Sequence, residues 1–156
     1  IYFIEDDDEV LSKKIYERLK NKILNNIERI KFIKKLGYKE FINHCGHSSV
    51  LLDPLYFGGG NSFHESMFYG TPTVSMPSKY LRSRVVLGSY GQMNIENPPI
   101  AKSIDEYVSM AIEIANKDPN QLLEQKKYYA NSANKELYEN KNSITEIEKI
   151  LINLFK

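Results

Sequence analysis

The chain has one cysteine, Cys45, so no internal disulfide framework is open to it. That excludes a disulfide-stapled scaffold and fits a reducing compartment. It also lacks an excess of charge: 21 Lys and Arg stand against 20 Asp and Glu, a formal net charge of +1. A balance this even exerts no global pull toward nucleic acid or an anionic membrane. No apolar run approaches the roughly 20 residues that span a bilayer. The N-terminal Ile1-Tyr2-Phe3-Ile4 passes directly into Glu5-Asp6-Asp7-Asp8, which is not the form of a secretory leader. Repeats of 20–50 residues and low-complexity tracts are missing as well. What is there is an ordinary globular composition over 156 residues, 42% hydrophobic, 26% charged and 12% aromatic. This suits one well-buried core and a single domain over residues 1–156, with a cytoplasmic location expected. The chain opens on Ile rather than Met, and we read it as a piece of a longer protein.

Apolar periodicity orders the elements. Residues 1–4 read as a buried strand, followed by a helix with Leu11, Ile15, Leu19 and Ile23 on one side and acid at its start. Residues 30–33 form a second strand and residues 38–43 a short helix closed by Gly46. Residues 50–53 form a third strand, ended by Asp53-Pro54. A Gly-rich loop follows, then a helix over residues 62–69 that stops at Gly70. Residues 73–76 form a fourth strand and residues 80–90 a helix. Residues 103–116, 120–137 and 143–154 carry three more helical patterns. Strands alternating with helices predict an α/β fold: a Rossmann-like parallel sheet covered on both faces, with a helix-rich C-terminus.

The most informative unit is the strand, loop and helix over residues 50–69. In open α/β sheets, ligands bind beyond the carboxyl ends of the strands, where Gly58-Gly59-Gly60-Asn61 sits. Glycines admit close backbone approach and positive φ, and the following helix start offers N–H groups suited to a phosphate. Asn61 and Ser62 add side-chain donors, and Glu65 stands about one turn in, where a carboxylate can accept from ribose hydroxyls. The loop is not a P-loop, because no Gly-Lys-Ser/Thr follows, and Phe63 stands where a dinucleotide fingerprint needs its third glycine. A purely structural reading is equally concrete: Ser62 to Glu65 has capping-box spacing, as do Ser103/Glu106 and Ser143/Glu146.

Residues 50–85 carry a resemblance. Leu51-Leu52-Asp53, the Gly-rich loop, Glu65, Gly70-Thr71-Pro72, Val74, Met76-Pro77 and Ser83-Arg84-Val85 resemble the donor-binding domain of the O-linked N-acetylglucosamine transferases. These include the plant SPINDLY-like and bacterial tetratricopeptide-linked relatives. The resemblance implies the C-terminal half of a GT-B glycosyltransferase. Such a domain holds a UDP-sugar, here UDP-N-acetylglucosamine, for transfer to a protein hydroxyl without a metal or other cofactor. It implies donor-binding roles for Gly58, Gly59, Gly60, Asn61, Ser62, Glu65 and Arg84, and a uracil pocket lined by Tyr38, Phe41 and His44. The expected partners are the UDP-sugar, an N-terminal GT-B domain and a protein or glycan acceptor. The catalytic base is expected on that other domain, so no residue here is assigned as catalytic.

The animal enzymes carry His-Thr-Thr where this chain has Gly60-Asn61-Ser62, a uridine-contacting His at Phe41 and a Lys at Tyr38. These departures leave base and sugar open. The alternatives are a GT-B transferase acting on a glycan or lipid-linked acceptor, a UDP-sugar epimerase on the same scaffold, or a non-catalytic nucleotide-binding or interaction module.

Other constellations have plain readings. Asp6-Asp7-Asp8 matches an acidic helix start better than an Asp-x-Asp metal motif. His44-Cys45-Gly46-His47 fits no standard zinc spacing, and His44 reads as the last turn of a helix with Gly46 as its left-handed cap. His64 lies toward the donor or on the helix flank, and of Arg82 and Arg84 the resemblance favours Arg84. Tyr38, Tyr56, Tyr69, Tyr80 and Tyr90 without a basic stripe read as a solvated rim. Ile144, Ile147, Ile150, Leu151 and Leu154 form an apolar helix face, available for a partner domain or for dimerisation.

Overall fold

A computed structural model describes residues 1–5, 7–23 and 25–155. They form two compact units, Ile1–Phe41 and Ile42–Lys156. Unit 1 holds β1 (Tyr2–Ile4), α1 (Glu9–Lys22), a 3₁₀ turn at Ile27–Arg29, β2 (Lys31–Ile33) and the first turn of α2 (Tyr38–His47). β1 and β2 pair in parallel, with Phe3 opposite Phe32 and their rings stacked at 5.3 Å. Tyr16 of α1 meets the Phe32 ring edge-on at 5.7 Å. The helix starts at residue 9 because Asp8 caps it, its carboxylate accepting from Val10 N–H at 2.8 Å. Asp7 pairs with Lys35, and Asp6 lies outside the described residues. Ile15, Leu19 and Ile23 are half-buried as the stripe predicts, but Leu11 is exposed. The buried strand expected at residues 1–4 is exposed along its length, because β1 is paired on one side only, with β2.

Unit 2 holds the rest of α2, then β3 (Leu51–Leu52), α3 (Asn61–Ser66) and β4 (Thr73–Val74). A 3₁₀ turn at Leu81–Ser83 leads into α4 (Val85–Gln92), α5 (Ile104–Ala115) and α6 (Pro119–Ser132). A π turn at Ala133–Leu137 precedes α7 (Lys141–Leu154). β3 and β4 pair in parallel, Leu51 opposite Thr73, and a bridge from Ser75 to Ile100 prolongs the sheet. The α/β class and the helix-rich C-terminal part are as expected. Among the described residues the four strands form two parallel pairs, each two or three residues long, instead of one continuous sheet.

The core gathers Phe63, Met67, Val86, Tyr90, Met93, Ile95, Tyr129 and Ala133 from α3, α4, α6 and the turns between them. Tyr90 is its hub, which corrects its place on a solvated rim. Its ring meets Phe63 at 5.3 Å and Tyr129 at 5.6 Å. Its hydroxyl accepts from Thr73 N–H at 2.8 Å and donates to Thr73 O at 3.1 Å. That exchange satisfies a polar tip that burial would otherwise penalise. Tyr38, Tyr56, Tyr69 and Tyr80 are exposed, as a rim requires.

Two glycines decide close contacts. Gly70 has φ +64°, and a Cβ there would lie 1.9 Å from Lys126 O and 2.6 Å from Ala130 N of α6. Gly46 lies inside α2 instead of capping it, and glycine is needed there because the Tyr69 ring sits 2.7 Å from where a Cβ would be. The end of α2 is closed by Lys126, whose Nζ donates to Gly46 O at 2.7 Å and Ser48 O at 2.6 Å. The apolar face of α7 is exposed throughout, Ile147 at 57%. None of the described helices is long and apolar enough to cross a membrane.

Candidate functional site

β3 ends at Leu52 and hands the chain to Asp53, which organises the Gly-rich loop. Asp53 is 4% exposed. One carboxylate oxygen accepts from Gly59 N–H at 2.6 Å and the other from Ser75 Oγ–H at 2.5 Å. Its own carbonyl accepts from Tyr107 O–H at 3.0 Å. Burial, and then the Asp53 charge, push the Tyr107 hydroxyl up to about 12. On the other side Gly58 N–H donates to Arg82 O at 2.9 Å, and Arg82 Nε donates to Tyr56 O at 2.9 Å. The loop is thus pinned through Asp53 to Ser75, just past β4, and to α5, and directly to the turn before α4.

The glycines serve this packing. A Cβ at Gly58 would stand 3.1 Å from both Asp53 carboxylate oxygens, and one at Gly59 would stand 3.2 Å from Ser62 Oγ. A Cβ at Gly60 meets open space. None of the three takes the positive φ that the sequence allowed; among the described glycines only Gly70 does.

α3 begins at Asn61 with Gly60 as its N-cap, and no side chain caps it. The expected Ser62–Glu65 capping box is therefore not formed, because Ser62 already lies within the helix. Ser143 also lies inside a helix, where α7 is capped by Asn140, whereas Ser103 caps α5 as expected, accepting from Glu106 N–H at 3.2 Å. With no side-chain cap, the backbone N–H groups of Gly60, Asn61 and Ser62 have no acceptor among the described residues. Asn61 and Ser62 are exposed and Gly60 is half-buried. Three successive donors at the mouth of a loop are what an anion needs.

Glu65 is half-buried and close enough to α2 that, after burial itself, its charge helps push the Cys45 thiol up to about 11. Cys45 is thus a protonated, buried thiol at neutral pH. His44, its neighbour, is half-buried on the same helix, and His47 Nδ1 is bonded to Asn43 O at 2.7 Å. Among the described residues no three metal-ligating side chains converge. Tyr38 and Phe41 lie on the part of α2 that belongs to unit 1, Tyr38 exposed and Phe41 half-buried.

His64 lies on the helix flank. Its Nε2 meets Ser89 Oγ at 3.1 Å, its carbonyl accepts from Tyr138 O–H at 2.6 Å, and burial holds its pKa below the usual histidine range. Arg84 Nη1 donates to Ser78 O at 3.0 Å, within the turn before α4. Arg82, not Arg84, is the arginine bonded to the Gly-rich loop. Sequence reasoning used Asp53 as a strand end and as part of the resemblance, gave it no role in the site, and missed Ser75 and Tyr107; a short-range pattern carries no signal for bonds spanning 22 and 54 positions. An open depression of about 460 Å³ on unit 1, bordered by Glu9, Tyr16 and Phe32, contains none of the expected donor residues.

Neither a scan against protein-family models nor a search of curated proteins finds a match. Among solved structures the chain is similar to a mutant of the Thermobaculum terrenum O-GlcNAc transferase, with a TM-score of 0.80 and 16% sequence identity. The similarity covers 96% of this chain and 29% of that one. The chain therefore has the fold of a part of that transferase and spans under a third of its length.

Proposed function

We propose that this chain is the donor-binding half of a GT-B glycosyltransferase and holds a UDP-sugar, UDP-N-acetylglucosamine foremost, for transfer to a protein hydroxyl. The observation that carries the reading is the coincidence of two things: a transferase-like fold over nearly the whole chain, and a rigidly pinned Gly-rich loop with three open N–H donors. In glycosyl transfer the bond from the anomeric carbon to the diphosphate breaks, and the electron pair stays on the leaving phosphate oxygen. Donors fixed in advance stabilise that growing charge without reorganising. The N–H groups of Gly60, Asn61 and Ser62 take this role. α3 is six residues long, so individual N–H groups matter here more than a macrodipole. Glu65 accepts from the ribose hydroxyls, and His44, in the same unit, meets the base. The diphosphate needs no metal in this reading. The acceptor and the catalytic base come from the rest of the protein.

An amide NMR titration with UDP, GDP, ADP and CMP tests the proposal. UDP alone should shift the amides of residues 58–65 and of His44. A preference for another nucleotide keeps the scaffold and overturns the UDP assignment. Glu65→Gln should weaken UDP binding while leaving stability within about 0.5 kcal/mol, since Glu65 closes no capping box. Unchanged affinity in that variant would remove Glu65 from the site.

A further inference from the structure

We infer that Arg82 is the side chain of this domain that meets the negative charge of the donor's diphosphate. The inference rests on the donor-site reading above, but selects a residue that neither the resemblance nor the fold comparison assigns. Between residues 66 and 95 the chain carries Lys79, Arg82 and Arg84 and no acidic residue. Positive charge is therefore concentrated in the segment against which the Gly-rich loop packs.

The three cations are not equivalent. Arg84 directs Nη1 to Ser78 O, inside its own turn. Lys79 holds Nζ 5.1 Å from the Tyr80 ring centroid. Arg82 alone is tied to the Gly-rich loop, and by both ends of the residue: its carbonyl takes Gly58 N–H, and its Nε donates to Tyr56 O. Its guanidinium also lies 4.9 Å from the Tyr80 centroid, so the plane of the fork is fixed on two sides.

With Nε engaged, both Nη groups have no protein acceptor among the described residues, and the side chain is exposed. A planar pair of Nη donors, held in place and unneutralised, matches two oxygens of one phosphate. The carboxylate nearest the loop does not cancel it, because Asp53 is buried and directed to Gly59 and Ser75. The Gly58–Arg82 bond ties the backbone of Arg82 to the loop, and the Nε–Tyr56 bond ties its guanidinium to the same segment.

UDP, uridine and inorganic pyrophosphate, each titrated onto the chain and onto Arg82→Met, Arg82→Lys and Lys127→Met, test this. Lys127 is exposed on α6 and controls for the loss of one charge. Arg82→Met should weaken UDP and pyrophosphate by roughly tenfold or more and leave uridine unchanged. Arg82→Lys should fall between, and Lys127→Met should match the parent. Equal weakening of UDP and uridine would mean that Arg82 only shapes the loop, and UDP binding that survives Arg82→Met would overturn the inference while the donor reading stands. Pyrophosphate binding that needs Arg82, in a chain indifferent to uridine, would keep the inference and sink the nucleoside half of that reading. A parent chain that takes none of the three would sink both.

Discussion

Gly70 is the residue whose replacement has the clearest cost. Its positive φ and the α6 backbone 1.9 Å from a Cβ leave an alanine nowhere to go. Gly70→Ala should lower unfolding free energy by about 2–5 kcal/mol in urea titrations, combining backbone strain and overpacking. His64 contributes a pH dependence. Its pKa is lowered in the folded state, so below about pH 6.5 the unfolded chain binds a proton that the folded chain resists. The contribution is present above the unfolded pKa and is lost as pH falls through the folded one. Urea midpoints measured from pH 7.5 down to 5 should therefore drop less in His64→Gln than in the parent. Single residues were only partly legible in the sequence. Asp53 and Gly70 stood out as punctuation, but what they touch lies on β4, α5 and α6, far away along the chain.

At the scale of elements, the loop between β3 and α3 depends on one carboxylate. Asp53→Ala leaves Gly59 N–H and Ser75 Oγ–H without their acceptor, and should cost about 2–4 kcal/mol together with nucleotide affinity. Asp53→Asn can still accept from Gly59 and donate to Ser75, so it should cost about 1 kcal/mol. Equal losses in thermal unfolding would show that charge, not the bonding pattern, holds the loop. The succession of strands and helices was legible because it is written in local periodicity. The start of α3 was not: capping-box spacing put it at Ser62, whereas the bonds from Gly59 to Asp53 and from Gly58 to Arg82 set the loop so that the helix begins at Asn61. Gly46 misled for the same reason. A glycine that usually ends a helix is here required inside one by the Tyr69 ring.

Across the whole molecule, burial is uneven. Phe63, 2% exposed against Tyr90, belongs to the core of unit 2, whereas Ile147 on α7 is open. Phe63→Ala should cost about 3–5 kcal/mol, and Ile147→Lys should change stability by no more than about 0.5 kcal/mol. A large loss from the α7 variant would mean that this face is packed in solution. The fold class was visible in the order of patterns, but the location of the core was not, because Tyr90 looks like a rim tyrosine until its hydroxyl finds Thr73. The long bonds have a consequence in time. Tyr107 reaches Asp53 across 54 positions, and Tyr138 reaches His64 across 74. A ribosome that has just released the Gly-rich loop has not yet made either tyrosine. The nascent loop gains Ser75 and Arg82 first and its flanks wait for the two tyrosines, and closing such long intervals is entropically slow. Chains truncated before residue 107 should keep their local helices and the bonds to Ser75 and Arg82 but hold Asp53 less firmly, so they should bind nucleotide more weakly than chains that include Tyr107.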